Sequence, residues 1–222
     1  MRYLGLGLYA EGPTDHRFLR PLLRRAVEEA CLRSPTSQIE IGEVLELRAP
    51  RRFKDADRAT QILESLRDAQ DAVELLFIHA DGDGDPAVAR ERQVDPAGTR
   101  IQEDLQTWTG RWVPVIPVRA MEAWALVDGE ALRRALGSSL SNERLGLPKR
   151  PAECEKIEDP KLALREVCGR ALKRGRRVRR APEEYLQLVA GQVRLELLAQ
   201  VPSCRELDKA LREALAALRL VH

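Results

Sequence analysis

The stretch Leu75-Leu76-Phe77-Ile78-His79-Ala80-Asp81-Gly82-Asp83-Gly84-Asp85-Pro86 decides the fold. A short apolar run stops at three carboxylates on alternate positions. The run is β-rich and bounded by turn formers, so it predicts a buried strand over Val73 to Ala80. Residues i and i+2 of an extended chain point the same way. Asp81, Asp83 and Asp85 are therefore expected on one side of the strand's carboxyl end. Anions so placed repel unless a cation or proton intervenes, and hard divalent cations favour such oxygen donors. Gly82 and Gly84 let the backbone bend there. Asp-Gly pairs also make plain exposed turns, and that alternative stands beside the metal reading. A calcium loop of the EF-hand kind fits poorly. Its glycine and glutamate positions are occupied by Pro86 and Arg92.

Working outward, Tyr3 to Ala10 is a first strand, followed by the turn Glu11-Gly12-Pro13-Thr14-Asp15. Pro13 suits a helix start, and Thr14 or Asp15 can cap it. Phe18, Leu19, Leu22, Leu23, Ala26, Val27 and Ala30 follow at helical spacing. Gly5-x-Gly7-x-x-Ala10 lies inside the strand rather than after it, which argues against a dinucleotide fingerprint. Ile39 to Leu47 alternates as a second strand, Arg48 to Lys54 is a basic loop, and Asp57 to Ala69 is a helix. Asp85 to Pro96 reads as loop with some helix, and Gly98 to Trp108 as a helix. Trp112 to Val118 is a fourth strand whose prolines suggest a sheet edge or a strained exit.

Strand and helix alternate, which predicts a doubly wound α/β domain with a mostly parallel sheet over residues 1–128. Residues 129–222 read as a helical extension packed on it. Its helices are expected at Glu130 to Leu136, Lys161 to Lys173, Pro182 to Leu198 and Ser203 to Leu218. Ligands of such sheets bind beyond the carboxyl ends of the strands. Glu11, the aspartates after 80, and Glu122 all fall at that edge.

A length of 222 residues is enough for a sizeable core. With 37 basic and 35 acidic side chains the chain as a whole is no polycation. Cys31, Cys154, Cys168 and Cys204 form no Cys-x-x-Cys pair, which argues against a zinc knuckle. No signal peptide or membrane-length apolar run is read, so a cytoplasmic protein with no membrane partner is expected.

Taken together, Glu11-Gly-Pro-Thr-Asp15 and Asp81-Gly-Asp83 resemble the TOPRIM domain. That is the metal-binding α/β domain of topoisomerases, DnaG-type primases and OLD-family nucleases. The Glu-x-x-x-Asp form of Glu11 and Asp15 resembles the OLD type more than topoisomerases. Glu122-Ala-Trp-Ala-Leu-Val-Asp128 and Glu158-Asp-Pro-Lys161 further resemble a small standalone TOPRIM-like family of unassigned function. The resemblance implies Mg²⁺ or Mn²⁺, nucleic acid as substrate, and a role in bacterial conflict or phage defence. OLD nucleases carry an ATPase domain. This chain has no Gly-x-x-x-x-Gly-Lys-[Ser/Thr] motif, so a separate ATPase subunit is the implied partner.

The expected catalytic residues are Glu11, Asp81 and Asp83, with Asp15, Asp85 and Glu122 as additional metal ligands. One or two ions held there would serve water attack on phosphorus. Lys173, Arg174, Arg176, Arg177, Arg179 and Arg180 form a basic run suited to a phosphate backbone, with Arg51, Arg52 and Lys54 adding to that face. Lys161 is read as phosphate-contacting or structural, and His79 and Trp124 as core. Two alternatives stand against the nuclease. One is a non-catalytic TOPRIM-like binding subunit of a defence or toxin–antitoxin system. The other is a phosphotransferase or phosphatase with an aspartate nucleophile, whose Asp-x-Asp usually follows the first strand.

Overall fold

The structure, a computed structural model, describes residues 2–33, 38–172 and 182–221. Four strands carry the site: β1 (Arg2–Tyr9), β2 (Ile39–Leu47), β3 (Leu75–His79) and β4 (Arg111–Val115). They form one all-parallel sheet in the order β2-β1-β3-β4. The expected α/β class is the observed one, and all four carboxyl ends therefore leave at one edge. β4 is an edge strand, as Trp-Val-Pro-Val suggested. Its Pro114, opposite Ile78, has no N–H to give to a ladder, which an edge strand tolerates.

Period-two alternation sends side chains to opposite faces, and each face has its own core. Leu4, Leu6, Leu8, Leu75, Phe77, Val113 and Val115 pack on one side with α1 (Pro13–Arg33). Tyr9, Leu76 and Ile78 pack on the other with α2 (Arg58–Arg67) and α4 (Asp95–Asp104). Between β3 and α4 the chain makes α3 (Pro86–Ala89) and a π-helical turn, Arg90–Val94. More of residues 85–96 is thus helical than their polarity suggested.

After β4 come α5 (Glu122–Ala125), α6 (Gly129–Leu136), α7 (Asn142–Leu145) and α8 (Pro160–Leu172). The described chain ends with α9 (Leu186–Gln192), α10 (Leu195–Leu198) and α11 (Pro202–Ala217). These helices share a core with the sheet: Trp124, Leu132, Val189 and Leu211 lie in one apolar cluster with Leu6 and Phe77. α11 and α9 both pack on α1, and α11 also covers β4. The single helix expected over Pro182 to Leu198 is instead a 3₁₀ turn and two short helices, broken at Val193 and Arg194. Among the described residues no helix is long and apolar enough to cross a membrane. The basic run Lys173, Arg174, Arg176, Arg177, Arg179 and Arg180 lies outside the described residues.

Candidate functional site

The turn after β1 places the first two carboxylates. Pro13 opens α1, and Asp15 Oδ2 accepts from the Gly12 N–H at 2.9 Å, which is half of a capping box. One oxygen of Asp15 is thus spent on the helix start. The other, Oδ1, faces His79 Nε2 at 3.9 Å.

His79 ends β3 and is buried. Its Nδ1 lies 2.8 Å from the Val115 carbonyl, so that nitrogen carries the hydrogen and donates it. Nε2 then points at Asp15 and, at 3.5 Å, at Asp81 Oδ1. Burial disfavours the imidazolium, but Asp81, Asp15 and the Val115 carbonyl outweigh it and raise the His79 pKa. Sequence alone ranked this histidine as core. Only the folded structure reveals the second ring nitrogen aimed between two carboxylates.

Asp81 follows two residues later, and the loop beyond it is clamped to the loop after β4. Gly82 N–H donates to the Pro117 carbonyl at 3.1 Å and Gly84 N–H to the Val118 carbonyl at 2.7 Å. A Cβ on Gly82 would stand 2.4 Å from the Pro117 oxygen, so the approach admits only glycine. Asp81 Oδ2 receives Lys161 Nζ at 3.3 Å. Burial alone would raise the Asp81 pKa, yet His79 and Lys161 bring it below the ordinary carboxylate range.

The alternation expected to carry Asp83 and Asp85 beside Asp81 stops at Gly82. Asp83 adopts φ 47°, a left-handed turn conformation, and is exposed. Asp85 caps α3, accepting from Ala87 and Val88 N–H at 3.2 and 3.1 Å. Neither lines the pocket that receives Asp81.

Glu122 opens α5 and is 5% exposed. The neighbouring Trp124 is fully buried and donates Nε1–H to Ser203 Oγ at 2.9 Å, which pins the helix. Glu122 Oε2 is buried without a hydrogen-bond partner, whereas the buried Asp81 Oδ1 faces only His79 Nε2. Burial raises the Glu122 pKa, Lys161 opposes this, and Asp81 and Asp15 add to the rise. Lys161 stands at the start of α8. Burial works against its charge, but Asp81 and Glu122 more than compensate and raise its pKa.

Glu11, Asp15, Asp81, Glu122, Lys161 and Arg165 line one pocket of about 370 Å³. It draws on the carboxyl ends of β1 and β3, the segment after β4, and α8. A larger cavity of about 720 Å³ lies between β4 and α11, where Pro114, Ile116 and Leu207 meet Arg205 and Lys209. Size does not decide between them, because convergent groups with shifted protonation mark a site better than volume. The cysteines offer no rival chemistry: all four are buried, none is in a disulfide, and burial pushes Cys154 up to about 12.

The partnerless buried Glu122 Oε2, beside Asp81 Oδ1 that faces only His79, fits a hard divalent cation, which takes oxygen donors. Glu11, Asp15, Asp81 and Glu122 are the residues that could hold it. Among the described residues, however, no three His, Cys, Asp or Glu side chains are already drawn together as a cage. Lys161, joined by His79 when protonated, supplies the positive charge beside Asp81.

A carboxyl whose folded pKa is raised contributes stability in full below its unfolded value, and that contribution is lost as pH rises through the folded value. Glu122→Gln is therefore expected to raise metal-free stability by about 1 kcal/mol at pH 8, or ~2–4 °C in Tm. The gap narrows as pH falls toward the ordinary carboxylate range. Thermal melts of both proteins at pH 8 and pH 5.5 check this. A variant less stable than wild type at pH 8 contradicts it.

No curated protein and no solved structure matches the chain. One family model, described as a domain of unknown function (DUF4276), matches residues 10–211. The matched stretch begins as β1 ends, runs into α11, and contains every residue lining the acidic pocket. The chain belongs to the DUF4276 family.

Proposed function

We propose that this chain is a divalent-metal-dependent, TOPRIM-like nuclease that cleaves phosphodiester bonds in DNA or RNA. The observation that carries it is the meeting of Glu11, Asp15, Asp81 and Glu122 in one pocket, with the buried Glu122 Oε2 left without a partner. Those four would hold Mg²⁺ or Mn²⁺, and the ion when bound supplies the charge that activates water and offsets the leaving oxygen. Lys161 Nζ and Arg165 bring positive charge to the same pocket for a phosphate oxygen. His79 fixes Asp81 and Asp15 from behind. The basic run Lys173 to Arg180 is the proposed path of the nucleic-acid backbone. A cytoplasmic setting, an ATPase partner and a part in phage defence rest on the sequence and its TOPRIM resemblance.

A second reading, a non-catalytic TOPRIM-like binding subunit, is favoured by the missing three-ligand cage among the described residues. Incubation with supercoiled plasmid, single-stranded DNA and RNA separates the two. The nuclease is expected to cut at least one substrate with Mg²⁺ or Mn²⁺ and to stop in EDTA, and Glu11→Gln to be severely slowed. Absence of metal-dependent cleavage on all three, or equal rates for Glu11→Gln, overturns it. A binding subunit would retain nucleic acid or a partner with no Mn²⁺ heat in calorimetry.

A further inference from the structure

Glu11 has an exposed carboxylate, with 58% of its side chain open to solvent. A side chain that free makes a poor ligand unless something holds it. Arg58, the first residue of α2, does so. Its Nη1–H donates to Glu11 Oε1 at 2.6 Å. Its Nη2–H donates to the His79 carbonyl at 2.6 Å, and its Nε–H to the Gln93 carbonyl at 3.3 Å. The guanidinium also lies over the Tyr9 ring, 5.5 Å from its centroid. Tyr9 O–H in turn donates to Gln61 Oε1 at 3.0 Å.

The acceptors come from three separate segments: the exit of β1, the last residue of β3, and the π-helical turn Arg90–Val94. π turns are rare and concentrate at functional sites. Here the turn brings a carbonyl to the guanidinium that locks Glu11. An isolated exposed ion pair contributes little to stability, so pairing alone does not account for a fork engaged on every edge. Arginine can satisfy three acceptors in one plane, and lysine cannot. Only Oε1 of Glu11 accepts from Arg58, which leaves Oε2 for a cation. The added positive charge also lets Glu11 stand near Asp15 and Asp81 with less repulsion.

We propose that Arg58 is a positioning residue: it holds Glu11 at the acidic pocket and thereby sets the affinity of the pocket for a divalent cation. The proposal rests on Glu11 being a ligand, as in the proposed function. Partners that orient ligands from outside the coordination shell typically account for 10–100-fold in metal affinity. Mn²⁺ titration calorimetry on the full chain is the test, with thermal melts alongside. Arg58→Ala is expected to bind Mn²⁺ about 10–100-fold more weakly. Arg58→Lys keeps the charge without the fork and is expected to recover only part of that loss. In a Glu11→Gln background, Arg58→Ala is expected to change nothing further, because the group it positions is gone.

Wild-type affinity in Arg58→Ala, with Glu11→Gln impaired, overturns the positioning role and leaves the metal site standing. Tighter binding in Arg58→Ala also overturns it, since Arg58 would then compete with the ion. Unchanged affinity in Glu11→Gln overturns Glu11 as a ligand, and the positioning role falls with it. Where Arg58→Ala fails to fold, Arg58→Gln, which keeps the stem and a donor, is measured under the same criteria.

Discussion

Asp128→Ala is expected to lose about 2–3 kcal/mol of stability, from a lost helix cap and buried backbone donors left without partners, while the half-exposed Arg194 returns to water. Asp128 is 1% exposed and takes up donors with both oxygens. Oδ1 accepts from Glu130 N–H at 2.9 Å, Ala131 N–H at 3.3 Å and Arg194 Nη2–H at 3.0 Å. Oδ2 accepts from Arg194 N–H at 3.1 Å and Nε–H at 2.8 Å. One side chain therefore caps α6 and ties it to the break between α9 and α10. Alanine leaves backbone donors at 130, 131 and 194 without partners in a closed space. Burial alone would raise the Asp128 pKa, but Arg194 and the helix N–H groups bring it below the ordinary range. That contribution is present above the unfolded carboxylate pKa and is lost as pH falls through the depressed folded value. Asp128→Asn keeps the cap and loses the ion pair, so its cost falls between wild type and alanine. Urea unfolding at pH 7 reads all three proteins. A loss under ~1 kcal/mol for alanine contradicts the account.

Asp128 also shows how far a sequence likeness carries. Glu122 and Asp128 belong to one conspicuous segment, Glu-Ala-Trp-Ala-Leu-Val-Asp, yet they do different work. Glu122 opens α5 with an unpartnered oxygen in the acidic pocket, whereas Asp128 is consumed in holding helices together. The sheet was legible because β1 and β3 are apolar on both faces, as central parallel strands must be. The edge position of β4 was legible because Pro114 cannot donate. Glu11, Asp15, Asp81 and Glu122 could be listed from their positions after strands, since parallel strands share a carboxyl edge. The loop after Asp81 was not legible. Its shape is set by hydrogen bonds to Pro117 and Val118, more than thirty residues downstream, and no local pattern announces them. The same holds for Arg58, two of whose acceptors are backbone carbonyls, which any residue type can offer. The break at Arg194 followed from its distant partner Asp128 rather than from any helix breaker.

Asp81→Ala is expected to reverse the pattern of Asp128→Ala, with function lost and the fold retained. If the proposed nuclease holds, cleavage falls by about 10³-fold or more, the order found when one member of a catalytic unit is removed. The Mn²⁺ heat disappears with it. Stability at pH 8 is expected within ~1 kcal/mol of wild type, because Asp81 faces repulsion from Glu122 as well as attraction from Lys161. Lys161 is half exposed and returns to water at little cost. His79 supplies the pH signature. Its raised pKa gives a stabilisation that is full below the unfolded histidine value and is lost as pH rises through the folded value. Part of that rise comes from Asp81, so the deficit of Asp81→Ala is larger at pH 6 than at pH 8.5. Cleavage assays, Mn²⁺ calorimetry and melts at the two pH values examine each step separately. Equal cleavage by both proteins removes Asp81 from the chemistry. A pH-independent deficit removes the His79 contact from the account while leaving the cleavage result to stand or fall alone. Loss of cleavage with an intact fold is the outcome that a merely structural aspartate cannot give, since a structural residue fails through the melting curve first.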